Sequence, residues 1–346
     1  MTVTARIREV APPITAAPET ESMALTVHDL VTEFRTRSGP LRAVDGVSFA
    51  VPRGGVLAVI GESGSGKSAM LRSIIGINPP SARIEGRVQL GHRDLLAMSP
   101  RERRRTRGRE ISMVFQDPLT ALDPVYTVER QLTETIRKQD PGIGRGQAVA
   151  RALELLELVQ IPSAAARLKA YPSELSGGMR QRVVIAMAIA GRPSVILADE
   201  PTTALDVTVQ ARMMRLFREV QSEVGSGLVI VTHDLGVAAE LADDVAVMYA
   251  GRLVEHGTAD EVLTRPAHPY TEGLIEANVR PGQDRRPNAI PGAPPSLRRL
   301  PPGCAFAPRC RYAVADCWAG QPSAATVAGD HWSRCLLVPA AEREPS

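Results

Sequence analysis

Short apolar runs alternate along this chain with longer stretches in which apolar residues recur every three or four positions. Val47–Val51 and Val56–Ile60 read as strands around a turn at Pro52-Arg53-Gly54. A glycine-rich loop follows, then a helix over Lys67–Ile77 that Asn78-Pro79-Pro80 would stop. Arg87–Leu90 and Ile111–Phe115 read as strands on either side of a charged stretch. Thr127–Lys138 and Gln147–Gln160 read as helices; in the second, Ala148, Ala152, Leu155, Leu156 and Val159 share one face. Leu175–Ala190 opens on Ser-Gly-Gly and runs on as a helix. Strand Ser194–Ala198, helix Val207–Val224, strand Leu228–Thr232 and helix Leu235–Leu241 come next. Strands Asp244–Met248 and Arg252–Glu255 close the series around Gly251.

Strands alternating with helices predict an α/β fold with a parallel sheet. Residues 119–171 are helix-rich and strand-poor, which predicts a helical insertion. Residues 1–23, rich in Pro, Ala and Thr, predict a disordered extension. The main domain is expected over 24–280, and a cysteine-bearing extension over 281–346.

Composition removes several classes. The 41 basic and 38 acidic residues leave a net charge of +3, which does not point to nucleic acid. Aromatics are 3%, too few for a base-stacking platform. The apolar run Val183–Ala190 is far below the roughly 18 residues of a spanning helix. The N-terminus lacks the apolar core of a secretory signal, so a cytosolic chain with reduced thiols is expected, reaching a membrane through a partner. The basic run Arg101–Arg109 contains Glu102 and reads as a solvated helix face.

Four groups of residues carry chemistry. Gly61-Glu62-Ser63-Gly64-Ser65-Gly66-Lys67-Ser68 fits the phosphate-loop pattern G-x-x-x-x-G-K-[ST] between a strand and a helix. Its glycines let backbone N–H groups wrap a phosphate at a helix N-terminus. Lys67 would reach the β- and γ-phosphates of a bound nucleotide and Ser68 would ligate Mg²⁺. Asp199-Glu200 ends a strand where the crevice of an open α/β sheet lies. Asp199 would hold Mg²⁺; Glu200 would act as base or water-orienter. Ser176-Gly177-Gly178 opens a helix and is a second anion site. Cys304, Cys310, Cys317 and Cys335 follow the spacing C-x5-C-x6-C-x17-C, without the C-x2-C pairs of common zinc sites. In a reducing compartment they favour a metal or cluster over two disulfides.

Leu175-Ser176-Gly177-Gly178-Met179-Arg180-Gln181-Arg182 resembles the signature motif of ABC-type ATPases. Other motifs fall in that family's order over roughly Leu25–Gly257. Gln116 stands as the Q-loop glutamine, Ala204-Leu205-Asp206 as the D-loop, and His233 as the switch histidine. The resemblance implies a P-loop NTPase of the ABC type working as a head-to-tail dimer. Ser176, Gly177, Gly178 and Gln181 of one subunit would close over ATP held by Gly61, Ser63, Gly64, Ser65, Gly66, Lys67 and Ser68 of the other. Gln116 would touch Mg²⁺ and the attacking water, and His233 the γ-phosphate. Phe34 is either the aromatic that stacks on adenine or a core residue.

Residues 116–124, 200–210, 268–271 and 303–310 resemble ATPase subunits of oligopeptide and dipeptide importers, with Arg311 where that family more usually has Pro. This implies ATP hydrolysis powering peptide import from the cytoplasmic face of the membrane. The implied partners are two transmembrane permease subunits, a second and different ATPase chain, and an extracytoplasmic peptide-binding protein. Docking to the membrane subunit would run through Asp117–Pro124, with Leu119 and Leu122 at the surface. The tail of such importers is associated with a [4Fe-4S] cluster; zinc and free thiols stay open. A nickel importer shares most of these motifs. A soluble ABC protein of translation or DNA repair is the alternative, though such proteins usually carry two cassettes; an exporter half would commonly be fused to membrane helices.

Overall fold

A computed structural model describes residues 22–117, 121–201, 207–278 and 288–338. Residues 1–21 of the expected N-terminal extension, Leu119, Asp206 and the boundary expected near Arg280 lie outside the described residues, whereas Met23, the last residue of that extension, already stands in a strand. The strands are β1 (Met23–Thr36), β2 (Gly39–Pro52), β3 (Val56–Ile60), β4 (Ala82–Leu90), β5 (Arg93–Asp94) and β6 (Ile111–Val114). They continue as β7 (Val195–Asp199), β8 (Gly227–Thr232), β9 (Asp244–Tyr249), β10 (Arg252–Thr258), β11 (Ala325–Ala328) and β12 (His331–Ser333). The helices are α1 (Lys67–Ile75), α2 (Pro100–Thr106), α3 (Val128–Gln139), α4 (Arg145–Leu158) and α5 (Ala164–Leu168). They continue as α6 (Gly177–Ile189), α7 (Val207–Val224), α8 (Leu235–Leu241), α9 (Ala259–Thr264) and α10 (Pro269–Ala277).

One sheet runs in the order β11-β12-β10-β9-β3-β8-β7-β6. Strands β9, β3, β8, β7 and β6 pair in parallel. Every residue of β3 is buried, and its period of two sorts the faces. Val56, Ala58 and Ile60 enter a core shared with α6 and α7, while Leu57 and Val59 enter a core shared with α1 and the second sheet. A strand covered on both faces is apolar at every position, which explains the unbroken run VLAVI. The second sheet, β2-β1-β4-β5, is antiparallel.

The helix α1 stops at Gly76, two residues earlier than the prolines suggested. Gly76 sits in the left-handed region at φ 72°, and its N–H returns to the carbonyls of Arg72 and Ser73. The insertion is helical as expected: Leu132 and Ile136 of α3 and Ala148, Ala152, Leu155 and Leu156 of α4 join the core that holds Val184 of α6. The basic run forms α2, capped reciprocally by Ser99 and Glu102, with Arg101, Arg104 and Arg105 exposed.

The tail builds onto the sheet. β12 pairs antiparallel with β10, placing Ser333 opposite Glu255 and Trp332 opposite His256. Glu255 is fully buried and accepts from the N–H groups of Ala267 at 2.6 Å and His268 at 3.0 Å, with His331 Nε2 at 2.8 Å. A buried carboxylate needs such partners. Burial pushes the His268 imidazole down to about 4, so it is neutral, and its Nδ1 accepts from the Tyr270 N–H at 3.0 Å. Among the described residues no helix is long and apolar enough to cross a membrane.

Candidate nucleotide site

β3 runs directly into the phosphate loop. The loop backbone is packed so closely that side chains are excluded at two positions. A Cβ at Gly61 would stand 2.2 Å from the Met248 carbonyl oxygen, and one at Gly66 2.3 Å from that of Ala43. Behind the loop, the Gly251 N–H donates to the Ser65 carbonyl at 2.8 Å, tying it to the β9–β10 turn. Gly66 provides no side-chain cap to α1, so the first-turn N–H groups face the loop's interior as an anion site. Lys67 Nζ donates to the carbonyls of Gly61 at 2.7 Å and Glu62 at 2.9 Å. Burial lowers its pKa, and the carboxylates of Glu200, Asp199 and Glu62 push it back up.

Ser68 Oγ donates to Asp199 Oδ1 at 2.8 Å. Burial raises the Asp199 pKa, against the Ser68 bond and the Arg72 charge. The pair offers two hard oxygens, the donor set of Mg²⁺. Glu200 follows with φ at 45°, a strained conformation for a non-glycine residue, fixed by its N–H donating to the Val231 carbonyl at 3.0 Å. Its Oε2 accepts from Gln116 Nε2 at 3.2 Å and lies 3.3 Å from His233 Nδ1. Four strands adjacent in the sheet therefore each deliver a group at their C-terminal end. β3 gives the phosphate loop, β8 His233, β7 the Asp199-Glu200 pair, and Gln116 stands two residues beyond β6. A parallel sheet aligns all its C-terminal ends on one edge, so residues up to about 170 apart in the sequence meet there.

The signature residues make no described hydrogen bond to these groups. Ser176 caps α6, accepting from the Met179 N–H at 3.3 Å, and none of its described hydrogen bonds reaches the phosphate loop. Gln181 is buried, and its Nε2 has no hydrogen-bond partner among the described residues. Phe34 lies on β1 opposite Leu41 and Ala82, half-buried and outside both cores. Leu122 is 3% exposed and part of the main core, which corrects the expectation that it lies on a docking surface. The exposed apolar side chains flanking that loop are Phe115 and Val125, the latter 68% exposed.

All four cysteines are free thiols within one another's electrostatic range. Cys304 accepts hydrogen bonds from the N–H groups of Phe306 and Ala307, Cys310 from that of Tyr312 and Cys335 from that of Leu337. Burial raises the pKa of these three thiols. Among the described residues, no three Cys, His, Asp or Glu side chains are grouped to hold a single metal ion.

Sequence reasoning missed two residues that touch the phosphate loop. Tyr270 accepts the Glu62 N–H at 2.7 Å, and Arg309 pairs with the Glu62 carboxylate. An acidic residue inside an anion-binding loop was the available signal, since such a charge needs a cation beside it.

The loop, its lysine, the Ser68–Asp199 pair and the braced Glu200 together define a P-loop nucleoside triphosphatase. A family model described as "ABC transporter" matches residues 44–203, and one described as "Oligopeptide/dipeptide transporter, C-terminal region" matches 254–317. The chain is 44% identical over 92% of its length to a dipeptide transport ATP-binding protein DppD of Lactococcus lactis, covering 92% of that protein. It is 44% identical over 91% of its length to an oligopeptide transport ATP-binding protein OppD of Bacillus subtilis, covering 88% of it. Against OppD of Mycobacterium tuberculosis, 47% identical, the chain spans about half of the relative's length, 52%. Among solved structures, the ATP-binding cassette MJ0796, in a dimer bound to ADP and Pi, superposes with a TM-score of 0.60 at 28% identity, over 68% of this chain and 98% of that one. The cassette cbiO1 from Clostridium perfringens gives 0.61 at 28%, over 71% and 92%. The chain belongs to the ATP-binding subunits of oligopeptide and dipeptide ABC transporters.

Proposed function

We propose that this chain hydrolyses ATP to power import of peptides through partner membrane subunits. The observation that carries the reading is Glu200, braced by Gln116 and His233 beside the Ser68–Asp199 pair at the mouth of the phosphate loop. Lys67 and the α1 N-terminus bind the phosphates. Ser68, Asp199 and Gln116 would hold Mg²⁺, which when bound neutralises phosphate charge. Glu200 takes a proton from the attacking water, oriented by Gln116, and His233 donates to the γ-phosphate. Phe34 would stack on the adenine. Hydrolysis requires a head-to-tail partner, because Ser176, Gly177, Gly178 and Gln181 form an anion-binding helix start that makes no described hydrogen bond to the chain's own phosphate loop; Asp206 would lie at that interface. The partner is a second, different ATPase chain. Two permease subunits dock beside Gln116, where Phe115 and Val125 are exposed, and an extracytoplasmic protein delivers the peptide. The location is the cytoplasmic face of the membrane.

The tail is read as a cluster site. Four thiols in mutual electrostatic range, three of them met by backbone N–H groups, fit the thiolate set of a four-iron, four-sulphur cluster. Zinc or free thiols are the alternative reading of the same four residues. Cys304, Cys310, Cys317 and Cys335 would hold the cluster, which would stabilise the tail rather than take part in hydrolysis.

Co-purification from membranes, followed by ATPase assays with and without peptide, tests the main reading. Membrane subunits and a peptide-binding protein in the complex, with peptide-stimulated hydrolysis, support it. Co-purification with ribosomes or DNA instead, or nickel stimulation without peptide stimulation, refutes it.

A further inference from the structure

Arg309 lies between Cys304 and Cys310 in the chain, yet its side chain is 5% exposed and packed against the phosphate loop. Nη1 donates to Glu62 Oε2 at 2.6 Å and Nη2 to Glu62 Oε1 at 2.9 Å, a two-pronged pairing. Nε donates to the Pro291 carbonyl at 2.9 Å, and Nη1 also lies 3.4 Å from the Tyr249 hydroxyl. Phe306 of the same segment packs edge-on against Tyr249 at 5.4 Å and tilted against Tyr270 at 5.4 Å. The guanidinium thus lies over the Phe306 ring at 6.0 Å, and Phe306 in turn packs on Tyr249 and Tyr270 of the nucleotide-binding core.

Glu62 is held at each of its polar groups. Its N–H is taken by Tyr270, its carbonyl by Lys67 and its carboxylate by Arg309. The carboxylate is a full negative charge on a loop built to receive an anion. Uncompensated, it would repel a triphosphate and hold the Lys67 ammonium away from it. Arg309 cancels that charge and fixes the peptide whose carbonyl orients Lys67. Tyr270 and Arg309 both come from the last third of the chain, so the loop is completed by residues more than 200 positions away.

We propose that Arg309 is a positioning residue of the ATP site, neutralising and fixing Glu62 so that the cysteine-bearing tail completes the phosphate loop. This rests on the ATP reading given above. Titration of the full chain with MgATP by calorimetry tests it through the signs of the effects. Arg309→Ala is expected to weaken binding about ten-fold, the scale of one lost charge-assisted interaction. Glu62→Gln is expected to bind MgATP as tightly as the unmodified chain or more tightly. The double variant Glu62→Gln/Arg309→Ala is expected to return to within about three-fold of the unmodified chain, because the two sites couple directly. A strut with no electrostatic role would weaken binding in all three, most in the double variant. Glu276→Gln removes one of the two carboxylates paired with Arg311 without touching the loop, and is expected to leave the affinity unchanged.

Unchanged affinity in Arg309→Ala overturns the proposal. So does a loss in Glu62→Gln, or in Glu276→Gln, equal to that in Arg309→Ala. Should Arg309→Ala not fold, Glu62→Gln alone decides: equal or tighter binding supports the proposal and weaker binding overturns it. Failure of the ATP reading looks different: the unmodified chain would not bind MgATP, or Lys67→Ala would bind it equally well.

Discussion

Replacing Glu200 by Gln separates binding from chemistry. The glutamine has the same shape and keeps one carbonyl-type oxygen, so it can still accept from Gln116 at 3.2 Å and from the His233 ring at 3.3 Å. The backbone at this position, left-handed and bonded to Val231, is untouched. What disappears is a proton acceptor and one of the negative charges acting on Lys67. Loss of a positioned general base costs roughly 10²- to 10⁴-fold in rate. The missing negative charge pulls the other way on affinity, so ATP should bind at least as well. The assay is phosphate release at saturating ATP, in the assembled transporter, beside nucleotide affinity measured on the isolated chain. ATP-bound dimers should accumulate in the variant. A turnover within about ten-fold of the unmodified protein would remove Glu200 as the base. Loss of ATP binding would instead mean that its contribution is architectural.

Other outcomes follow from the same geometry. Lys67→Ala should weaken ATP binding by about ten-fold or more in equilibrium titration, since the buried ammonium proposed to meet the phosphates is removed. Gly66→Ala should abolish ATP binding while circular dichroism stays close to native, because its Cβ would meet the Ala43 carbonyl at 2.3 Å and the loop must open. Asp244→Asn should raise the melting temperature at pH 7 and leave it unchanged near pH 4. Burial, with Asp243, Asp330 and Glu261 nearby, raises this carboxyl to about 6, so its ionised form destabilises the native state above that pH, a penalty that fades as pH falls towards the ordinary value of 3.8. Cys310→Ser in anaerobically purified protein should lower bound iron from about four per chain; stoichiometric zinc with no iron would replace the cluster reading.

The parts of the fold legible in the sequence are those with one uninterrupted signal. Val56–Ile60 was readable because both its faces are buried, and the phosphate loop because glycines, lysine and serine must stand at fixed offsets. The 14-residue β1 was not readable as a strand. Its pairing with β2 shifts register several times between Met23 and Glu33, and each bulge breaks the alternation that marks a strand. β11 and β12 span four and three residues, too short for any periodicity to register. The meeting of Gln116, Glu200 and His233 could be anticipated from the family motifs, but their hydrogen bonds depend on strand order, which local sequence does not encode. The Arg309–Glu62 pair, 247 positions apart, was invisible for the same reason.

The pairing of β12 with β10 also sets a schedule for synthesis. Residues emerge from the ribosome in order, and β10 is complete at Thr258 while β12 begins at His331. In that interval the outer edge of β10 has no neighbour, and Glu255 lacks His331, one of the groups that compensate its burial. Open strand edges recruit other chains. The nascent protein is therefore most prone to mispairing after its nucleotide-binding core has been made but before its last turn of sheet arrives. Chaperone engagement should peak in that window, and a chain truncated before His331 should hold a core that resists proteolysis less well than the full chain after release.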